Sequence, residues 1–156
     1  MKNALSEQGF SRRGFLRAGA AFAAVAALPT KVWAAMARPE AVFKAEGMEG
    51  TFAAMGGEPA DSADIVLESP DIAENGAVVP VGVISNIPNT TRIMVMVEKN
   101  PNPLSAVFMI PEGTKPEVQT RVKVAQTGMI YGVVEADGKF YKIAKETKVT
   151  LGGCGG

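Results

Sequence analysis

The chain has no histidine and a single cysteine. Without histidine there is no His-based catalytic triad, no His-ligated zinc and no proximal ligand for haem. With one cysteine there is no internal disulfide and no Cys-x-x-Cys pair for redox or metal chemistry. Walker and dinucleotide-binding glycine patterns are missing too. Gly56-Gly57 and Gly152-Gly153 lack the surrounding spacing and read as cap or linker. No cofactor is expected. No apolar run is long enough to span a bilayer: the longest, Ala18 to Leu28, is short and rich in alanine.

That run belongs to a different pattern. Ser11-Arg12-Arg13-Gly14-Phe15-Leu16 precedes it, Pro29 follows it, and two small-residue sites, Val32-Trp33-Ala34 and Ala35-Met36-Ala37, come next. A charged n-region, an apolar h-region and small cleavage residues read as an export signal of the twin-arginine type. Arg12 and Arg13 are its signature, with cleavage after Ala34 or Ala37. Export in a folded state to a bacterial periplasm is the expectation. The first 37 residues hold five of the sixteen bases and one of the sixteen acids. Eleven bases and fifteen acids remain, a formal charge of −4, which argues against nucleic acid or an anionic membrane as partner. About 120 residues suit one domain with one core.

The cysteine sits in Leu151-Gly152-Gly153-Cys154-Gly155-Gly156. A lone cysteine is by default a small buried hydrophobe. Here its neighbours have no side chains to bury it with, and glycine resists ordering. The expectation is a thiol on a thin, flexible tether, reaching at most ~10 Å from Leu151 at about 3.3–3.6 Å per residue. No cation adjoins Cys154; the nearest base is Lys148. The nucleophile is the thiolate, so activation has to come from a partner.

Between these ends the pattern is extended. Pro39 and Glu40 suit a helix start, Met48, Phe52 and Met55 recur on one helical face, Gly47 breaks the stretch in two, and Gly56-Gly57 stops it. Seven strands are predicted at 64–68, 77–84, 91–99, 104–110, 118–125, 129–136 and 139–144, with a last piece at 148–151. Val118, Thr120, Val122 and Val124 alternate with Gln119, Arg121 and Lys123, the mark of a half-buried antiparallel strand. Asp137-Gly138 is a two-residue hairpin signal. Pro80 and Gly82 mark the second strand as an edge or a bulged strand. The fold class is all-β: an immunoglobulin-like antiparallel sandwich with a short N-terminal helical segment and no disulfide. The organisation is signal over 1–37, sandwich with its helical segment over 38–147, and carrier arm over 148–156.

Met94, Met96, Met109 and Met129 invite a copper reading, since thioethers suit Cu(I). All four lie in apolar strand runs, and core filler is the usual role of methionine. Met94 and Met96 point to one face of their strand, and Ile93, Val95 and Val97 to the other. Arg121 reads as a solvated strand residue or a partner contact.

The chain resembles the SoxY family, the sulfur-carrier subunits of periplasmic thiosulfate oxidation. The likeness rests on Gly152-Gly153-Cys154-Gly155-Gly156 and the twin-arginine signal. It extends through Asn100-Pro101-Asn102-Pro103-Leu104, Thr120-Arg121-Val122 and Val133-Val134-Glu135-Ala136-Asp137-Gly138. The resemblance implies a covalent carrier, not an enzyme. Cys154 would be the cargo cysteine, and Gly152, Gly153, Gly155 and Gly156 its swinging arm. It further implies a heterodimer with a SoxZ-like small β subunit. A c-type cytochrome would load thiosulfate, a hydrolase would release sulfate, and a sulfane dehydrogenase is a further candidate partner.

Other readings stay open on the residues themselves. A ubiquitin-like carrier also ends in Gly-Gly and uses a thiocarboxylate, but it needs ATP and a central helix. An exported structural sandwich would use Cys154 for an intermolecular disulfide. Lipidation fits poorly: the lipobox-like Leu151–Cys154 lies at the wrong end of the chain, and Cys154 is not fourth from the end as prenylation requires.

Overall fold

The computed structural model describes residues 38–150. Arg12, Arg13, Gly152, Gly153, Cys154, Gly155 and Gly156 lie outside the described residues. Two short helices, α1 (Glu40–Lys44) and α2 (Gly47–Ala54), precede nine strands. These are β1 (Ala60–Asp61), β2 (Ile65–Glu68), β3 (Ile72–Ala73), β4 (Val79–Ser85), β5 (Thr90–Val97), β6 (Leu104–Met109), β7 (Glu117–Val122), β8 (Gly128–Ala136) and β9 (Lys139–Val149). The larger sheet runs β1-β9-β8-β5-β6, with β3 also paired to β9, and the smaller runs β2-β4-β7. The two sheets form the expected immunoglobulin-like sandwich. Among the described residues no helix lies between strands, where a ubiquitin-like fold would place one. None is long and apolar enough to cross a membrane.

The chain packs two apolar layers, and β5 explains both. Ile93, Val95 and Val97 face the smaller sheet and meet Ile65, Val79, Val81, Val83 and Val122. Met94 and Met96, on the opposite face, pack with Val42, Leu104 and Val133 beneath the two helices. A central strand buried on both faces has no polar face to show, hence its unbroken apolar run. The facing of these five residues is as the alternation predicted. Met109 departs from the core-filler expectation: it lies on the edge strand β6 and is 40% exposed. Met129 is half-buried at the start of β8.

The helices form where the sequence placed them. Gly47 takes φ +66° at the junction between them, a conformation that favours glycine. Met48, Phe52 and Met55 all pack on the outer layer. Phe52 meets Tyr131 edge to face with centroids 6.2 Å apart. Lys142 lies 5.5 Å from the Phe52 ring centre and donates a hydrogen bond to Glu58. That bond raises the Lys142 ammonium pKa above its ordinary value, whereas burial is what raises the Tyr131 hydroxyl.

Three expectations change. β4 is the central strand of the smaller sheet, not an edge. Pro80 is tolerated because Ser85 donates its N–H toward β7, to Pro116 O at 2.9 Å. Backbone direction alternates along a strand, so the nitrogen of Pro80 faces the other way. There β2 has already ended, at Glu68 opposite Gly82. Second, the predicted pieces 139–144 and 148–151 join in one strand of eleven residues. Short parallel pairings, β1 on Tyr141–Lys142 and β3 on Lys148–Val149, line its outer edge. Third, β1 and β3 themselves went unseen, because two residues carry no readable period. The Asp137-Gly138 turn is as expected, with φ +50° and +71°, the doubly positive pair of a tight hairpin.

Candidate functional site

The structure brings none of the predicted site residues together, since all of them lie outside the described residues. What it does show is how the chain is held just before Leu151. Lys148 donates its N–H to Asp71 O at 2.9 Å, and Thr150 donates to Ala73 O at 3.2 Å. On the opposite side Val149 donates to the Thr127 hydroxyl oxygen at 2.9 Å. Thr147 is fully buried and donates its hydroxyl to Pro70 O at 2.9 Å. Lys145 reaches Ser69 O at 2.6 Å and the Asp71 carboxylate at 3.0 Å. The end of β9 is therefore bonded on both edges up to its last residue.

Gly76 completes this anchor from the side. Its carbonyl accepts the Val124 N–H at 2.7 Å. A Cβ at this position would sit 2.5 Å from Val124 O and 2.8 Å from Val149 Cγ1. Only a residue without a side chain lets the loop from Asp71 to Val78 close against both Val124 and Val149. Asn75-Gly76 is a turn dipeptide, and Asn75 Oδ1 accepts the Ala77 N–H at 2.9 Å. The turn was thus legible in sequence; its contact with Val149 was not. Ile72 and Val78 on the same loop are 59% and 51% exposed. Thr127 gave no signal at all, because threonine is common in strands and loops alike.

A groove of about 800 Å³ lies beside this anchor on the smaller sheet. Gly82 lies in it, and Glu68, Pro80, Gln119, Arg121 and Lys145 line it. Arg121 is exposed, as a solvated strand residue should be. With cations and a carboxylate together, the groove favours neither sign of ligand. Among the described residues no group of three or more His, Cys, Asp or Glu is placed to hold a metal ion.

The geometry thus provides a rigid two-layer body and a fixed exit point, with Cys154 four residues beyond Thr150. Among curated proteins no match was found. The solved structure of the sulfur carrier protein SoxY from Chlorobium limicola f thiosulfatophilum is similar. It is 41% identical, with a TM-score of 0.56, and the match covers 64% of this chain and 91% of that one. Weaker likenesses include the bacterial superantigen toxic shock syndrome toxin-1 (14% identity, TM-score 0.37, 55% of this chain and 99% of that). A CARDB domain from Pyrococcus furiosus is comparable (15% identity, TM-score 0.36, 62% and 96%). The family model described as sulfur oxidation protein SoxY matches residues 52–154, from α2 through the sandwich to the cysteine itself. By that match, which takes in more than half of its residues, the chain belongs to the SoxY family.

Proposed function

We propose that this protein is a sulfur carrier of thiosulfate oxidation, holding its cargo covalently on Cys154 and presenting it to partner enzymes. The observation that carries this reading is the family match reaching Cys154 itself. The anchored strand supports it. β9 runs to Val149 and the Thr150 N–H still bonds to Ala73 O, so in this reading the arm is taken to begin after Thr150. From Thr150, four residues extend at most about 14 Å. A carrier needs that division of labour: a body that stays rigid and a thin arm that enters each enzyme's pocket. Gly152, Gly153, Gly155 and Gly156 keep the arm narrow.

The chemistry balances as follows. The Cys154 thiol and thiosulfate join sulfur to sulfur, giving Cys-S-S-SO₃⁻ and releasing a proton. Both electrons pass to a c-type cytochrome partner. Water then attacks the terminal sulfonate sulfur in a hydrolase, releasing sulfate and a proton and leaving a persulfide on Cys154. A sulfane dehydrogenase is a candidate for the remaining sulfur. The carrier itself supplies no general acid or base in these steps, so it is not an enzyme. A SoxZ-like β subunit completes it as a heterodimer, and the Arg12-Arg13 signal would export the folded pair to the periplasm.

The test is intact-protein mass spectrometry after incubation with thiosulfate and the loading partner. A thiosulfonate adduct that maps to Cys154 and is absent from Cys154→Ser supports the carrier. A thiocarboxylate would mean a ubiquitin-like carrier, and a disulfide-linked dimer a structural role. Cys154→Ser should melt at the wild-type temperature, because changes away from the packed body usually stay within about ±0.5 kcal/mol.

A further inference from the structure

β6 ends the larger sheet, and no strand among the described residues pairs with its outer edge. Exposed edges are normally blunted by charge, proline or a bulge that turns them away. Neither charge nor proline occurs within β6, which reads Leu-Ser-Ala-Val-Phe-Met, and its one bulge, at Ser105, is confined to its start. The twelve residues from Asn100 to Pro111 contain no charged side chain. The two edges of the smaller sheet behave otherwise: β2 carries Glu68, and β7 carries Glu117 and Arg121. The far side of the larger sheet is lined by β1 and β3, with Asp61, Asp71 and Glu74 in or beside them.

The direction of each β6 amide follows from one bond. Ile110 donates its N–H to Thr91 O at 2.9 Å, toward β5. Alternation then turns the Phe108 and Ala106 amides toward β5, and those of Met109 and Val107 outward. The β6 register opposite β5 runs without a shift from Ala106, opposite Val95, to Met109, opposite Arg92; it shifts at Ser105. Two amides, those of Val107 and Met109, thus open outward on a flat, uncharged stretch from Ala106 to Met109. Val107 and Phe108 are half-buried and Met109 is 40% exposed. A neutral apolar run of this kind, left in water, is an aggregation hazard.

We propose that the β6 edge is the docking site of a second β-sheet subunit, distinct from this chain, which adds an uncharged edge strand to the larger sheet. The proposal rests on the heterodimer reading above. Strand addition supplies the backbone bonds that the edge lacks. A neutral centre suits a lasting partner better than a passing enzyme, because obligate interfaces are the more apolar ones. One strand alone buries too little for a stable pair, which typically needs about 1,200–2,000 Å². The partner must therefore extend past β6. β7, the edge of the other layer, lies beside it with exposed Glu117, Gln119 and Arg121, a polar rim next to the apolar centre. Among the described residues a second copy of this chain has no other uncharged edge to offer, so self-association would consume β6 on both copies.

The experiment is amide hydrogen exchange by NMR on the full chain, free and with the purified SoxZ-like subunit. Val107 and Met109 should slow by at least about tenfold in the complex. Ala106 and Phe108, already bonded to β5, should change little. Val107→Pro removes an outward N–H without touching the β5 ladder, and Met109→Lys places charge on the edge. Each should weaken the heterodimer by at least about tenfold. Val66→Lys, on the smaller sheet, should leave it unchanged. If Val107→Pro does not fold, Met109→Lys and the exchange pattern still decide. Unchanged exchange at the Val107 and Met109 amides, or wild-type affinity in Met109→Lys, overturns the proposal. So does the same protection pattern in the isolated chain at high concentration, which would assign the edge to a second copy. A complex lost in these variants with no adduct on wild-type Cys154 would sink the carrier reading and leave the edge assignment standing. The reverse result would do the opposite.

Discussion

Val149 donates its backbone N–H to the hydroxyl oxygen of Thr127 at 2.9 Å, and Gly76 closes on the side chain of the same valine. A β-strand's last residue usually frays. This one is held from three sides, and the proposed tether follows one residue further on, after Thr150.

Gly76→Ala should therefore loosen the anchor. The added methyl meets backbone at Val124 and side chain at Val149, both closer than 3 Å. Overpacking of this kind costs about 1–3 kcal/mol. The expected result is a lower melting temperature, with faster exchange at the Val149 and Thr150 amides. Wild-type exchange there would mean the loop gives way without disturbing β9. Thr127→Val should cost about 1 kcal/mol through an unpaired Val149 N–H.

Gly153→Val and Gly155→Val test the arm. If the tether must enter enzyme pockets, a β-branched side chain beside Cys154 obstructs it. Turnover with purified partner enzymes should fall by about tenfold or more, while the rate of alkylation of Cys154 by a small reagent stays near wild type. Glycine's conformational freedom is lost in the same step. Wild-type turnover in both variants would remove any role for the glycines.

Replacing Arg12-Arg13 with Lys-Lys tests export. Precursor should accumulate in the cytoplasm, seen by fractionation and immunoblotting. Undiminished periplasmic protein would rule out the twin-arginine route.

Glu98 makes stability depend on acid. Its carboxylate accepts hydrogen bonds from Lys99 at 2.7 Å and from the Met129 N–H at 3.0 Å, and these hold its pKa below the ordinary value of 4.5. A lowered folded-state pKa means the contribution is present above about pH 4.5 and is lost as pH falls through the folded value. Glu98→Gln should destabilise the protein modestly at pH 7, by about 1 kcal/mol. The gap between the two should close on acidification below pH 4.5. Denaturant melts at pH 7 and pH 3 measure it, and a gap independent of pH would remove the ionised carboxylate from the account.

The residues themselves determined the two-sided burial of β5, the glycine break between the helices and the Asp137-Gly138 hairpin, and they supply the one thiol, Cys154, on which the proposed role rests. Each depends on periodicity, on a local backbone demand or on a unique functional group, and these are properties of neighbours in the chain. The tertiary structure alone decided that β4 is central, because only the end of β2 at Glu68 shows why Pro80 does no harm. It also decided that 139–149 is one strand. Lys145, Glu146, Thr147 and Lys148 look like a loop until Ser69, Pro70 and Asp71 arrive to accept the Lys145 and Thr147 side chains and the Lys148 amide. Contacts between residues some seventy positions apart leave no period in a sequence, so the anchor at the root of the proposed arm became visible only when the sheets were assembled.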